Sequence, residues 1–97
     1  MRRRGRTDGN HTAVVKALRK IGASVQSLAD VGEGCPDLLV GFRGRDVKLE
    51  VKDGSLPPSK RNLTPDEAEW HRDWKGDRVR VVLSAEEAVE LVLGRWE

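Results

Sequence analysis

The chain has 97 residues, 37% of them hydrophobic and 35% charged, with a formal net charge of +2. That is one domain's worth of chain, and folding at this size hides only about 60–65% of the unfolded surface, which excludes two catalytic lobes or a large substrate chamber. No run approaches the roughly 18–20 consecutive apolar residues of a membrane span, and the basic start Met1-Arg2-Arg3-Arg4-Gly5-Arg6 lacks the apolar stretch of a signal peptide. A single cysteine, Cys35, cannot make an internal disulfide, so a reducing, cytoplasmic setting is expected. The net charge conceals an asymmetry. Residues 1–48 carry 10 Lys or Arg against 5 Asp or Glu, whereas residues 49–97 carry 8 against 11. A basic leading half points to a polyanionic partner, most simply nucleic acid, or else to a solvated arm over residues 1–7.

There is no internal repeat and no linker between two cores, so residues 1–97 form a single domain. Residues 8–21 read as a helix, with Asp8 or Asn10 as cap and Val14, Val15, Leu18 and Ile21 on one face; Gly22 stops it. Residues 24–28 alternate polar and apolar, as a short strand does. Residues 37–42 and 46–52 are strand-like, and Arg43-Gly44-Arg45 between them predicts a tight antiparallel hairpin. Residues 53–62 contain two prolines and no periodicity, hence an exposed loop. Thr64-Pro65-Asp66-Glu67 is a helix start with cap, first-turn proline and capping-box glutamate, and the helix runs to about Lys75. Residues 78–83 predict a strand apolar enough to be central, and Ser84-Ala85-Glu86-Glu87 opens a last helix to about Leu93. The order is helix, three strands, helix, strand, helix. A strand–helix–strand passage implies a parallel crossover, so the class is α/β: a mixed sheet flanked by helices.

The hairpin carries the chemistry. Val47, Leu49 and Val51 share one face of its second strand, and Lys48, Glu50 and Lys52 share the other. With Arg43 and Gly44 as turn residues, Asp37 stands directly across from Glu50, where Cβ atoms lie about 4.5–5.5 Å apart. Two carboxylates that close repel unless a proton or cation lies between them, and a hard divalent ion such as Mg²⁺ resolves the conflict. Lys52, two residues on, offers an ammonium to orient water or offset charge growing on a phosphate. Two acids, a lysine and a metal are a minimal kit for phosphodiester hydrolysis. The alternative is a solvated hairpin face on which Glu50 pairs with Lys48 and Lys52.

Pro36-Asp37 followed by Glu50-Val51-Lys52 resembles the PD-(D/E)XK nuclease signature. The wider strings Gly34-Cys35-Pro36-Asp37-Leu38-Leu39-Val40-Gly41, Glu50-Val51-Lys52-Asp53-Gly54 and Leu63-Thr64-Pro65 resemble the VRR-NUC branch, particularly its small stand-alone phage-type members, over roughly Asp8 to Leu93. The resemblance implies a restriction-endonuclease-like α-β-β-β-α-β-(α) core. It also implies a metal-dependent, structure-selective DNA endonuclease, similar to a Holliday-junction resolvase and acting as a homodimer on branched DNA. Under it, Asp37, Glu50 and the Val51 backbone carbonyl hold Mg²⁺ or Mn²⁺, and Lys52 is the catalytic lysine. No nucleotide cofactor and no membrane are implied. Two positions depart from the family pattern: a customary glutamate of the first helix aligns with Ala13, and a customary glutamine of the later helix aligns with Glu67. Ala13 motivates a rival reading, a DNA-binding module that no longer cuts, and the small size a third, a subunit of a larger recombination or restriction complex.

The nucleic-acid contacts expected are Lys60 and Arg61 in the loop and Arg2, Arg3 and Arg4 in the arm. Trp70 and Trp74, spaced i, i+4, are expected to pack as helix residues, and Trp96 to serve an interface. Arg43 and Arg45 read as turn solubility. His11, His71 and Cys35 have no partner at catalytic or metal-ligand spacing and read as structural or idle. Asp8 and Glu33 are the candidates to compensate for the acid missing at Ala13.

Overall fold

Arg43 and Gly44 both adopt the left-handed region, at φ 53° and 80°, which makes the turn a type I′. That turn fixes the hairpin of β2 (Leu38–Phe42) and β3 (Arg45–Val51), paired from Phe42↔Arg45 to Leu38↔Leu49. The register is the one the two-residue turn predicts. The computed structural model describes residues 9–94. Arg2, Arg3, Arg4, Asp8 and Trp96 therefore lie outside the described residues.

β1 (Ser24–Ser27) adds antiparallel to β2, and β4 (Arg80–Val82) adds parallel to β3, giving the order β1-β2-β3-β4. The fold is thus α/β with a four-stranded mixed sheet. β4 is an edge strand, not the central one its apolar sequence predicts; by alternation Val82 faces the core and is buried while Val81 faces outward and is exposed. α1 (Gly9–Lys20) and α3 (Ala85–Val92) pack together on one face of the sheet. Between them and the sheet lies the core: Val14, Leu18, Leu38, Val40, Leu49, Val51, Val82, Ala88, Leu91 and Val92. Alternation along β2 and β3 sends Leu38, Val40, Leu49 and Val51 inward, as the period of 2 requires.

α2 (Pro65–Asp73) lies on the opposite face and buries none of its own residues completely. Its start is the capping box the sequence announces: Thr64 Oγ1 accepts from Glu67 N, and Glu67 Oε1 accepts from Thr64 N. It ends two residues before Lys75, where Trp74 takes up extended backbone. α3 is capped by Ser84, whose Oγ accepts from Glu87 N, but Glu87 reaches past the cap to Leu83 N. Asn10 is not a cap. It sits inside α1 and its side-chain amide donates to two carbonyls, Lys52 O and Leu83 O, both at 2.8 Å. Those carbonyls end β3 and β4, so one amide ties the first helix to the C-terminal ends of both parallel strands.

Candidate functional site

Asp37 is the residue before β2, and its position is fixed from both sides. Its carbonyl accepts from Leu28 N at 2.7 Å, and its carboxylate Oδ2 accepts from Val51 N at 2.8 Å. Continuing the hairpin register one step past Leu38↔Leu49 sets Asp37 opposite Glu50, both directed to the outer face. The next step sets Pro36 opposite Val51. In an antiparallel ladder that pair would exchange N–H and C=O bonds, but proline has no N–H to give. The Val51 N–H is taken by Asp37 instead, and its carbonyl receives no donor from Pro36. The Pro-Asp dipeptide thus leaves the Val51 carbonyl without a ladder partner at the end of the hairpin where Asp37 and Glu50 pair.

Glu50 is 1% exposed, the one buried charged residue among those described. It is not part of a solvated hairpin face. Burial raises its pKa most, Asp37 raises it further by charge and by a shared hydrogen bond, and the carboxyl is pushed up to about 10 from 4.5. The Lys52 charge lowers it, but by less than burial and Asp37 raise it. The Lys52 ammonium lies 2.9 Å from Glu67 Oε1. Burial works against the charged lysine, but the hydrogen bond and charge of Glu67 outweigh it, and Lys52 stays above its usual pKa. Glu67 is likewise penalised by burial, yet Lys52 and the Thr64 backbone N–H hold its pKa below the usual value. The position where a glutamine is customary therefore holds an acid that caps α2 and pairs with the lysine.

α2 and the outer face of β3 match pair by pair. Glu67 meets Lys52, His71 Nε2 lies 3.4 Å from Glu50 Oε1, and Lys48 Nζ sits 5.5 Å from the Trp74 ring. The spacing explains the match. Three or four helical residues advance about 4.5–6 Å and two strand residues about 6.6 Å, so a helix running against the strand roughly keeps step with it. His71 is absent from the sequence-based candidates because it has no metal-ligand neighbour in its own segment. The signal that finds it is Glu67-His71 at i, i+4 set against the Lys-Glu-Lys alternation of β3. Burial lowers the His71 pKa, so the ring is neutral at neutral pH.

Gly34 brings the loop before Asp37 against α2. Its φ is +82°, and a Cβ there would stand 2.2 Å from the Asp66 carbonyl. Cys35, next along, has its thiol pKa raised by burial and then by the charges of Glu50 and Asp37, which disfavours the thiolate. Ala13 is exposed; the α1 residue that reaches the strand ends is Asn10, through its bonds to Lys52 O and Leu83 O. Glu33, at φ 58°, lines a hollow of about 460 Å³ with Asp66, Glu69, Trp70, Asp73 and Trp74. That hollow is acidic and lies on the outer stripe of α2, so it holds neither the acid pair nor a phosphate cradle. Trp70 and Trp74 stack on each other with centroids 4.4 Å apart, and Trp74 remains half-exposed. They pack as helix neighbours but not into the core.

Lys60 ends a short 3₁₀ turn, Pro58–Lys60, in the exposed loop between β3 and α2, and Arg61 follows it. Among the described residues, neither side chain is hydrogen-bonded or ion-paired to the acids. Arg45 is structural, donating to the Val92 carbonyl, and Arg43 lies over Phe42.

Two hard carboxylates and a carbonyl form the donor set that Mg²⁺ or Mn²⁺ takes, with water and phosphate completing the shell. A second observation fits such an ion: burial and Asp37 raise the Glu50 carboxyl more than the nearby Lys52 charge lowers it. Among the described residues, no three His, Cys, Asp or Glu form a ready-made metal cage. Such a site depends on non-protein ligands, as Mg²⁺ sites usually do. Comparison with protein-family models, with curated proteins and with solved structures finds no match to this chain.

Proposed function

We propose that this protein is a divalent-metal-dependent endodeoxyribonuclease with a restriction-endonuclease-like core of the VRR-NUC type. The observation that carries this reading is the pairing of Asp37 with Glu50 on the outer face, beside Lys52 two residues along β3. Asp37, Glu50 and the Val51 carbonyl would hold Mg²⁺ or Mn²⁺. The bound ion supplies Lewis acidity at the phosphoryl oxygen and a water of lowered pKa.

The remaining work falls to the chain itself. Val51 N–H orients the Asp37 carboxylate. Lys52 stays charged through its bond to Glu67 and offsets negative charge that builds on a phosphate. Asn10 fixes the backbone from which Lys52 projects. Lys60, Arg61 and the basic arm with Arg2, Arg3 and Arg4 would grip the DNA backbone, and a homodimer would suit a branched substrate with two-fold symmetry.

The test is a metal-titrated cleavage assay on branched and linear DNAs, run with wild type and Lys52→Ala. Cleavage in Mg²⁺ or Mn²⁺, its loss in chelator, and a drop of about 100-fold or more in the variant with DNA binding retained are expected. Undiminished cleavage by Lys52→Ala would refute the assigned chemistry. A second reading, a DNA-binding module that does not cut, has one observation in its favour: α1 brings an amide, Asn10, and no acid to the strand ends. Metal-independent DNA binding without cleavage would select it.

A further inference from the structure

Three side chains at the site, Asp37, Glu50 and Lys52, stand at one end of the hairpin. Asp37 is held by Val51 N–H and Lys52 by Glu67. Besides its acid partner Asp37, Glu50 shares a side-chain hydrogen bond with Glu67 and is met by His71, at 3.4 Å from Nε2 to Oε1. The histidine is itself largely enclosed, with 14% of its side chain exposed against 2% for Glu50. It is also the middle rung of the α2–β3 match, with Glu67–Lys52 on one side and Trp74–Lys48 on the other.

We propose that His71 is the positioning residue for Glu50, donating its Nε2–H to one carboxylate oxygen and aiming the other at the divalent ion. This inference rests on the metal-dependent reading above. Partners of this kind, one step removed from the metal, typically govern affinity by about 10–100-fold. Three oxygens remain the protein's ligands, and the imidazole is not one of them.

Calorimetric titration of Mn²⁺ into the full chain tests this with wild type, His71→Ala and His71→Gln, each checked for folding by circular dichroism. His71→Ala should bind Mn²⁺ about 10–100-fold more weakly. His71→Gln, whose amide N–H reaches a similar point, should recover most of the loss, an outcome a merely space-filling role does not give. Equal affinity in wild type and His71→Ala overturns the proposal. So does ¹⁴N coupling to bound Mn²⁺ in the wild-type electron spin-echo spectrum, which would make the imidazole a direct ligand. Failure of the wild type to take up Mn²⁺ overturns the metal reading itself, and this inference with it. That outcome is distinct from a wild type that binds and a variant that binds equally well.

Discussion

Replacing Glu50 by glutamine keeps the shape and hydrogen-bonding capacity of the side chain and removes its ability to ionise. In the folded chain the Glu50 carboxyl is raised from 4.5 to about 10, through burial first and Asp37 second. An unfolded glutamic acid loses its proton near pH 4.5, whereas the folded one keeps it. The folded state therefore holds the extra proton between those values, and stability falls as pH rises through that window. It is fully present below about pH 4.5 and lost progressively toward pH 10. The limiting slope is about 1.4 kcal/mol per pH unit. From pH 5 to 8 this sets a ceiling of about 4 kcal/mol, and relaxation of the pocket brings the expected difference nearer 2 kcal/mol. In a domain of this size that is a melting shift of about 8–16 °C. Thermal melts of wild type and Glu50→Gln in chelator at pH 5, 6.5 and 8 measure it. The wild-type midpoint should drop relative to the variant as pH rises, which separates Glu50 from every group the two proteins share. Saturating Mn²⁺ should flatten the wild-type difference, since binding at 100 times Kd adds about 2.7 kcal/mol to the folded state. Parallel pH curves for the two proteins would refute the claim that a buried acid pair sits at the end of the hairpin.

Other perturbations probe the supports of the site. Gly34→Ala adds a Cβ 2.2 Å from the Asp66 carbonyl at a φ of +82°, so it should cost about 2 kcal/mol or more in urea unfolding and loosen α2; a midpoint equal to wild type would show that the loop and helix are not in contact. Asn10→Ala removes both bonds to the strand-end carbonyls and should destabilise by about 1–3 kcal/mol, with faster amide exchange at Lys52 and Gly54, whose N–H groups bond Val82 and Leu83. Unchanged exchange there would deny Asn10 its bridging role.

Much of this fold is written in local signals that compete with nothing. The Arg43-Gly44 turn, the alternation of β3 and the Thr64–Glu67 box each depend on residues a few positions apart, and each appears where the sequence places it. The misplacements share a different cause. Asn10 has the chemistry of a cap, but its amide is drawn 42 and 73 residues along the chain to Lys52 and Leu83. β4 has the apolar content of a central strand, yet no further strand follows among the described residues to cover its free edge. Long-range pairing decides both, and composition does not encode it.

The candidate site divides along the same line. Asp37 and Glu50 are legible because a two-residue turn leaves their register no freedom, and Pro36 explains why Asp37 takes over the Val51 N–H. The partners of Glu50 and Lys52 are not legible in that way, because they come from a helix reached through an exposed loop. Once α2 is laid against β3, however, its sequence shows one economy. Glu67 completes the capping box that starts the helix and accepts from Lys52 through the same oxygen, Oε1. The start of α2 and the placement of Lys52 are therefore a single structural event, and His71 follows one helical turn later at Glu50. A change that frays the first turn, such as Thr64→Ala, must act at a distance on both β3 side chains. About 1 kcal/mol of lost capping then reaches the site through Glu67, whereas an equal loss at the Ser84 cap of α3 acts on the opposite face of the sheet and leaves that pairing in place.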